Sequence, residues 1–239
     1  MHSPRLFALS LAFSLLAATT AQAEEGPQQR TISVTGEGEV TATPDLAIIS
    51  FAVETTAKQA RDAVDENARK GAAVAAALKK KLQEKDEIST TRYSLEPMYE
   101  QREPRSTVQP AINGYVARNE VRVELHAIDA VGALIDVATE AGANRVSDLQ
   151  FTLDDRASYL RDALQNAGHE AQQQAKSVAA ALGVELKQVV SASTSAPPIV
   201  FPRRYESAGM AMAESRVTTP VEPGEVSVRA TLYVTYEIE

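Results

Sequence analysis

Apolar and polar residues alternate at every second position in two stretches near the start of the chain. Ile32, Val34 and Val40 alternate with threonine, serine and glutamate, which places the apolar set on one face of a strand. Pro44 cannot donate to a ladder and Asp45 favours a turn, so the first strand ends there. A second apolar strand follows over residues 46–53. The pattern predicts a hairpin-like pair of strands with its turn near residues 41–44.

Two glycines, Gly36 and Gly38, fall on the apolar face of the first strand. A glycine inside a strand often marks the close approach of another backbone, so we expect a helix to pack tightly there. The alternative is a phosphate-binding loop. That motif needs a third glycine where this chain has Thr41, and it needs a helix rather than a strand afterwards. A structural role is therefore favoured.

Two long alanine-rich segments show helical spacing. The first is expected at about residues 57–84, with a capping box of Thr56 and Gln59. The second begins at Asp154 or Asp155 and stops at Gly183. The predicted inward positions are Val64, Ala68, Gly71, Ala75, Leu78 and Leu82 in the first helix, and Leu160, Leu164, Ala167, Ala171, Ala175, Val178 and Leu182 in the second. Alanine-rich seams favour packing on the domain's own sheet over an intermolecular coiled coil.

The remaining pattern predicts further strands and one short helix. Strands are expected at residues 88–98, 114–126, 149–153, 185–193 and 226–239, and the last alternates over its whole length. A short helix is expected to begin with Asp129 as its cap and to stop at Gly142. Together these elements predict an α+β fold, an antiparallel β-sheet with long Ala-rich α-helices packed on one side.

The N terminus has the pattern of an export signal. An apolar run of 13 residues follows Arg5, and Ala21-Gln22-Ala23 then forms a small-x-small cleavage site. We predict a signal peptide over residues 1–23, a disordered lead over residues 24–30 and one domain over residues 31–239. The run is shorter than the roughly 20 residues of a membrane span, so no span is expected after cleavage. An uncleaved anchor is the alternative.

Composition excludes several chemistries. The chain contains no cysteine, so it has no disulfide, no thiolate ligand and no cysteine nucleophile. Its net charge is −8 and it has no long basic run, which argues against nucleic-acid binding. Cleavage would leave only His126 and His169, and the sequence holds no HExxH, GxSxG or GxxxxGK[ST] motif. We predict no catalytic residues, no cofactor and no metal site.

Residues 195–224 stand apart from the rest of the chain. The segment contains five prolines together with apolar residues that we expect to be exposed. It is therefore expected to be a mobile loop or an arm that grips another subunit. The residues that we predict to contact a partner are Ile199, Phe201, Tyr205, Met210 and Met212.

Several short motifs in this order resemble the SIMPL-domain (YggE-like) family of bacterial periplasmic proteins. They are the run ISVTGEGEV at residues 32–40, Pro44-Asp45-Leu46-Ala47, Gly114-Tyr115-Val116-Ala117, Ala141-Gly142-Ala143-Asn144 and Phe151-Thr152-Leu153. The resemblance implies the α+β fold, a periplasmic location, self-assembly, and a link to envelope or oxidative-stress defence. The family has no established catalytic residues to carry over.

Three functions stay open at this stage. The first is a non-enzymatic envelope protein that forms a homo-oligomer or binds an envelope protein or peptide partner. The second is a periplasmic module that binds a small ligand or a peptide against the sheet or along an exposed edge. The third is an enzyme whose polar site is built from residues distant in sequence.

Overall fold

The computed structural model describes residues 29–100, 110–194 and 219–239, together with the backbone of residues 200–203. In chain order the elements are β1 (Thr31–Ala42), β2 (Leu46–Ala57), α1 (Ala60–Lys79), β3 (Glu87–Tyr99), β4 (Ile112–Leu125), a 3₁₀ turn (Ile128–Ala130), α2 (Val131–Glu140), β5 (Arg145–Thr152), α3 (Arg156–Leu182), β6 (Leu186–Thr194), β7 (Val200–Arg203) and β8 (Glu225–Ile238).

The strands form two antiparallel sheets rather than one. The central sheet has the order β3-β4-β2-β5, and the terminal sheet has the order β1-β8-β6, with β7 also paired to β8. Helices α1 and α2 pack on the central sheet, whereas α3 packs on the terminal sheet. The α+β prediction is confirmed, and each of the two long helices covers a sheet of its own.

The predicted hairpin of the first two strands is wrong. β1 pairs with β8 along its whole length, from Thr31 opposite Glu237 to Ala42 opposite Val226. β2 pairs instead with β4 and β5. The Pro44–Asp45 break therefore carries the chain from one sheet to the other, and it is held there because the Asp45 carboxylate accepts the backbone N–H of Asp154 at 2.7 Å. Local alternation identifies a strand but not its partner.

Helix α3 lies unusually close to β1, as the two glycines predicted. A Cβ atom on Gly36 would lie 1.9 Å from the Ala167 carbonyl oxygen, and one on Gly38 would lie 1.9 Å from that of Ala163. The buried face of α3 is a stripe of alanines at every fourth position: Ala163, Ala167, Ala171, Ala175 and Ala179. The predicted inward face of α3 was wrong at its C-terminal end, since Val178 and Leu182 are exposed. The close contacts with the two glycines are made by the alanine stripe instead.

Helix α1 packs on the central sheet through a face that was predicted only in part. Leu78 is buried as predicted, but the other buried residues are Ala63, Asn67 and Val74, so the predicted seam from Val64 to Ala75 is off by about one position. The cause is Asn67, whose amide nitrogen donates to the carbonyl oxygens of Val53 at 2.8 Å and Ala117 at 2.9 Å. A buried polar residue that binds two strands is invisible to a search for apolar periodicity.

Some of the predicted helix caps are confirmed and others are wrong. In α3, Asp155 accepts the N–H of Ser158 at 3.0 Å and Gly183 adopts a left-handed φ of 67°, so both predicted ends are confirmed. The predicted capping box is wrong, because Thr56 lies in β2 and Gln59 makes no side-chain cap bond. The Asp129 cap is also wrong, since Ala130 occupies the cap position of α2.

The predicted loop over residues 195–224 contains regular structure. β7 pairs with the first residues of β8, with Val200 opposite Val228 and Arg203 opposite Glu225. The end of the segment is fixed on α2, because the Thr219 hydroxyl donates to Asp136 at 2.9 Å and Val221 packs against the core of the central sheet.

Among the helices in the described ranges, none combines the length and the apolar character needed to cross a bilayer.

Candidate functional site

A backbone edge that a partner could reach lies along β3. This strand is 13 residues long and is one of the two edge strands of the central sheet, where it pairs only with β4 within the described part of the chain. An edge strand presents a row of backbone donors and acceptors that a further strand can pair with. Nearly every residue of β3 is exposed. The edge is therefore available for pairing.

Apolar side chains are exposed along this edge. Tyr93 is 54% exposed and Tyr99 is 59% exposed, and they share β3 with the exposed Leu95 and Met98. Ile112 is 51% exposed and pairs with Tyr99 across the β3–β4 ladder. Single exposed apolar residues are ordinary, whereas a group of them on one strand pair is a candidate interaction surface. We call these five residues the β3 patch.

One flank of α1 turns toward the β3 patch. Tyr93 and Leu95 lie opposite Asn119 and Ala117 of β4, on the face of the central sheet that α1 covers. A Cβ on Gly71 would lie 2.9 Å from the Asn119 amide nitrogen, which orients this side of the helix toward β4 and β3. Val64, Ala68, Gly71 and Ala75 share that flank and lie outside the buried set. Four residues of the predicted α1 seam thus lie outside the buried core, on the side of the helix nearer β4 and β3.

The opposite face of the central sheet is charged. Glu54 accepts from Arg118 Nε at 3.0 Å and from Arg145 Nη2 at 3.1 Å through the same carboxylate oxygen. The hydrogen bond from Arg118, with the positive charges of Arg118 and Arg145, lowers the pKa of Glu54 below its ordinary value against the opposing effect of burial. The same hydrogen bond raises the pKa of Arg118. These groups are paired with one another, as in a structural ion-pair network.

Asn144, from the Ala-Gly-Ala-Asn motif, positions Glu54 within that network. Its side-chain oxygen accepts the Glu54 N–H at 2.8 Å, and its amide nitrogen donates to the Glu54 carbonyl at 2.7 Å. Gly142 precedes it with a φ of 113°, which favours glycine. The Ala-Gly-Ala-Asn motif thus has a structural role, because Gly142 makes the turn and Asn144 holds the backbone of Glu54.

His126 joins loops from three parts of the chain. Its Nδ1 lies 3.2 Å from Asp86 Oδ1, and the same oxygen accepts the His126 backbone N–H at 2.9 Å. Its Nε2 lies 3.6 Å from Asp154 Oδ2 at the start of α3. Burial of Asp86 raises its pKa, but backbone hydrogen bonds from His126 and Gln83 outweigh this effect and lower it. The described residues contain no group of three or more such side chains able to hold a metal ion.

The predicted partner contacts can be compared with the structure only in part. Ile199, Tyr205, Met210 and Met212 lie outside the described residues, and the backbone of Phe201 lies in β7 opposite Ser227. The structure therefore leaves this predicted contact as a prediction.

Sequence reasoning missed the β3 patch although it predicted the strand. A signal was present, because Pro97 lies within the strand and proline is found essentially only at edges or bulges of a sheet. Read together with Tyr93, Leu95 and Tyr99, it indicates an edge strand with an apolar surface.

Comparison with known proteins identifies the family. The SIMPL family model, described as "Protein of unknown function (DUF541)", matches residues 32–236. The 26 kDa periplasmic immunogenic protein of Brucella melitensis is 32% identical over 215 residues, covering 89% of this chain and 86% of the relative.

Two further relatives are named YggE. The protein from Edwardsiella ictaluri is 30% identical over 175 residues, or 73% of this chain and 72% of the relative. The protein from Escherichia coli K12 is 29% identical over 167 residues, or 68% of this chain and 66% of the relative.

Proposed function

This chain belongs to the SIMPL family, and we propose that it is a periplasmic protein that acts without catalysing a reaction, by assembling with copies of itself or with a partner protein. The observation that carries the proposal is the long edge strand β3 with its exposed apolar patch. Such an edge in a secreted protein either is blocked against pairing or is used for it.

Two observations support the periplasmic location. Residues 1–23 have the pattern of a cleavable export signal, and the Brucella relative is named periplasmic. Expression of the full chain followed by cell fractionation and intact-mass measurement tests this. We expect a periplasmic product that begins at Glu24, whereas a cytoplasmic full-length product would contradict the location.

The arrangement of charged groups supports binding rather than catalysis. Glu54, Arg118 and Arg145 are engaged with one another, and His126 is held by Asp86 at the base of β3. A role in envelope or oxidative-stress defence follows only from the family resemblance. Direct consumption of oxidants is chemically disfavoured, because the chain has no cysteine and only four methionines.

The proposal is tested by replacing two residues of the β3 patch. We expect the Tyr93→Ser, Leu95→Ser double variant to lower the absolute mass of the purified chain measured by light scattering, because burial of both side chains drives association. Leu182→Ser is the matched control, since Leu182 is 64% exposed on α3, away from β3. Equal masses for the double variant and the native chain would exclude the patch as the assembly surface.

The predicted contact at Ile199, Phe201, Tyr205, Met210 and Met212 is a second surface for the same function. Deleting the whole segment is a poor test, because it would remove β7 and the Thr219 contact to α2. Point substitution of Met210 and Met212 by serine avoids that damage. A fall in mass on this substitution would support the surface, and an unchanged mass would count against it.

The exposed edge of β3 supports one alternative function, the binding of an extended peptide. A peptide added as a strand to β3 would pair through its backbone and place alternate side chains on the face of the central sheet that α1 covers. A monomeric chain whose melting temperature rises with periplasmic peptides would favour this function over self-assembly.

A further inference from the structure

We propose that two copies of this chain pair edge to edge through β3, antiparallel, about a two-fold axis at Ser94. The inference rests on the proposed self-assembly and goes beyond it by naming the strand and the register. It would join the two central sheets into one continuous eight-stranded sheet with β3 of each copy at its middle. A two-fold interface of this kind is self-complementary, because each contact occurs twice.

The residues of β3 are self-complementary in this register. With Ser94 opposite Ser94, Arg92 lies opposite Glu96 of the second copy and Tyr93 lies opposite Leu95 of the second copy. Symmetry gives two ion pairs and two aromatic–aliphatic pairs. Directly opposed residues are the pairs that stabilise antiparallel strands, and opposite charges and aromatic–apolar contacts are among the favourable ones.

The two ends of the proposed β3–β3 pairing also fit each other. The β3–β4 register shifts between Thr90 and Arg92, so the stretch of unbroken register that contains Ser94 begins at Arg92. In the proposed register Thr91, at this irregularity, lies opposite Pro97, which has no N–H to donate. Both strands therefore stop regular pairing at the same level, and residues 92–96 form the symmetric paired core.

Neighbouring registers lack this match. A two-fold axis at Leu95 would place Arg92 opposite Met98 and Tyr93 opposite Pro97. An axis at Tyr93 would place Glu96 opposite Thr90 and Leu95 opposite Thr91. Neither opposes the two charges. An axis at Tyr93 would place Tyr93 opposite Tyr93 of the second copy, but this contact occurs once and Leu95 is left opposite the polar Thr91.

The faces of the central sheet fit the same arrangement. An axis perpendicular to the sheet keeps α1 of both copies on one face, where Tyr93 and Leu95 also lie. The flank of each α1 that carries Val64 and Ala68 would border the new apolar row. On the opposite face, Arg92 and Glu96 lie beside Ser94, whose β4 neighbour Arg118 belongs to the ion-pair network with Glu54.

A cysteine cross-link tests the register directly. The native chain has no cysteine, so Ser94→Cys introduces the only thiol and places it at the axis. We expect mild oxidation to convert this variant to a covalent dimer. The matched control is Ser89→Cys on the same strand, where the two thiols would be about 33 Å apart and should not cross-link. Equal cross-linking of the two variants would overturn the register.

Charge reversal provides the second test and separates the two proposals. We expect Arg92→Glu alone and Glu96→Arg alone each to weaken association by about tenfold or more, because each places like charges opposite one another twice. The double variant, which exchanges the two charges, should restore association. Circular dichroism and melting temperature show whether each variant is folded.

The outcomes are distinguishable. A native assembly whose mass and dissociation constant do not respond to either single reversal overturns the β3 interface and leaves self-assembly standing. A native chain that is monomeric at every concentration reached overturns both. Loss of association in the single variants, recovery in the double variant and selective cross-linking at Ser94 support the interface.

Discussion

Gly36 and Gly38 show how one missing atom fixes the distance between two elements. Their Cβ positions are occupied by the backbone of α3, and backbone cannot move aside as a flexible side chain can. Sequence analysis predicted this contact from the two glycines on the apolar face of a strand. The predicted inward face contained Ala167, Ala171 and Ala175, but it missed Ala163 and Ala179 because the apolar spacing also fitted a seam that ends at Leu182.

Replacing Gly36 by alanine should therefore destabilise the protein by about 3 kcal/mol or more, since the helix must move away from the strand. The measurement is urea unfolding. The matched control is Gly168→Ala in α3, where the added Cβ meets only Leu232 Cδ2 at 3.8 Å. There the better helix propensity of alanine should stabilise by about 0.5–1 kcal/mol. A similar decrease in the free energy of unfolding for Gly36→Ala and Gly168→Ala would contradict the close packing of α3 on β1.

Glu54 gives a pH dependence with a defined sign. The hydrogen bond from Arg118 and the charges of Arg118 and Arg145 lower its folded-state pKa, so Glu54 contributes stability above its unfolded-state pKa of about 4.3. That contribution is lost as the pH falls through the lower, folded-state pKa. The lowered pKa of Asp86 acts in the same direction.

We therefore expect the free energy of unfolding to fall on acidification below about pH 4.3, and Glu54→Gln to make that fall shallower. Melting temperatures between neutral and acidic pH measure the effect. The exposed Glu140 provides the control substitution, Glu140→Gln. If the melting temperature falls equally steeply on acidification in the native chain and in Glu54→Gln, Glu54 contributes little to the pH dependence of stability.

At the scale of elements, those with their own local signals were predicted well. The ends of α3 were identified from Asp155 and Gly183, and β8 from an alternation that lasts its whole length. The rotation of α1 was missed because the residue that anchors it, Asn67, is polar. The pairing of β1 was missed because the alternating pattern of a strand is compatible with many partners.

The N-cap of α3 supports a prediction at this scale. Asp155→Ala should lower the free energy of unfolding by about 1 kcal/mol, because the Ser158 N–H loses its acceptor. Asp155→Ser should recover most of the loss, since serine is also a good cap. Urea unfolding measures both variants. A free energy of unfolding that is the same in Asp155→Ala and in the native chain would show that the cap does not contribute to stability.

At the scale of the whole molecule, the two sheets are joined at a few polar contacts. Asp45 binds the start of α3, His126 lies between Asp86 and Asp154, and Thr219 binds α2. The sequence predicted two similar long helices but a single sheet, because the division of strands depends on contacts between residues far apart in the chain. The β3 edge was hidden for the same reason, since a strand is at an edge only by virtue of what its neighbours pair with.

If the protein works by assembly, the absolute mass of the purified mature chain must exceed that of one copy. Light scattering on a sizing column, repeated over a range of concentrations, gives that mass without assumptions about shape. We expect a dimer or a larger assembly built from dimers. A mass equal to one chain at every concentration would contradict it and would leave peptide binding beside β3 as the better explanation of the exposed edge.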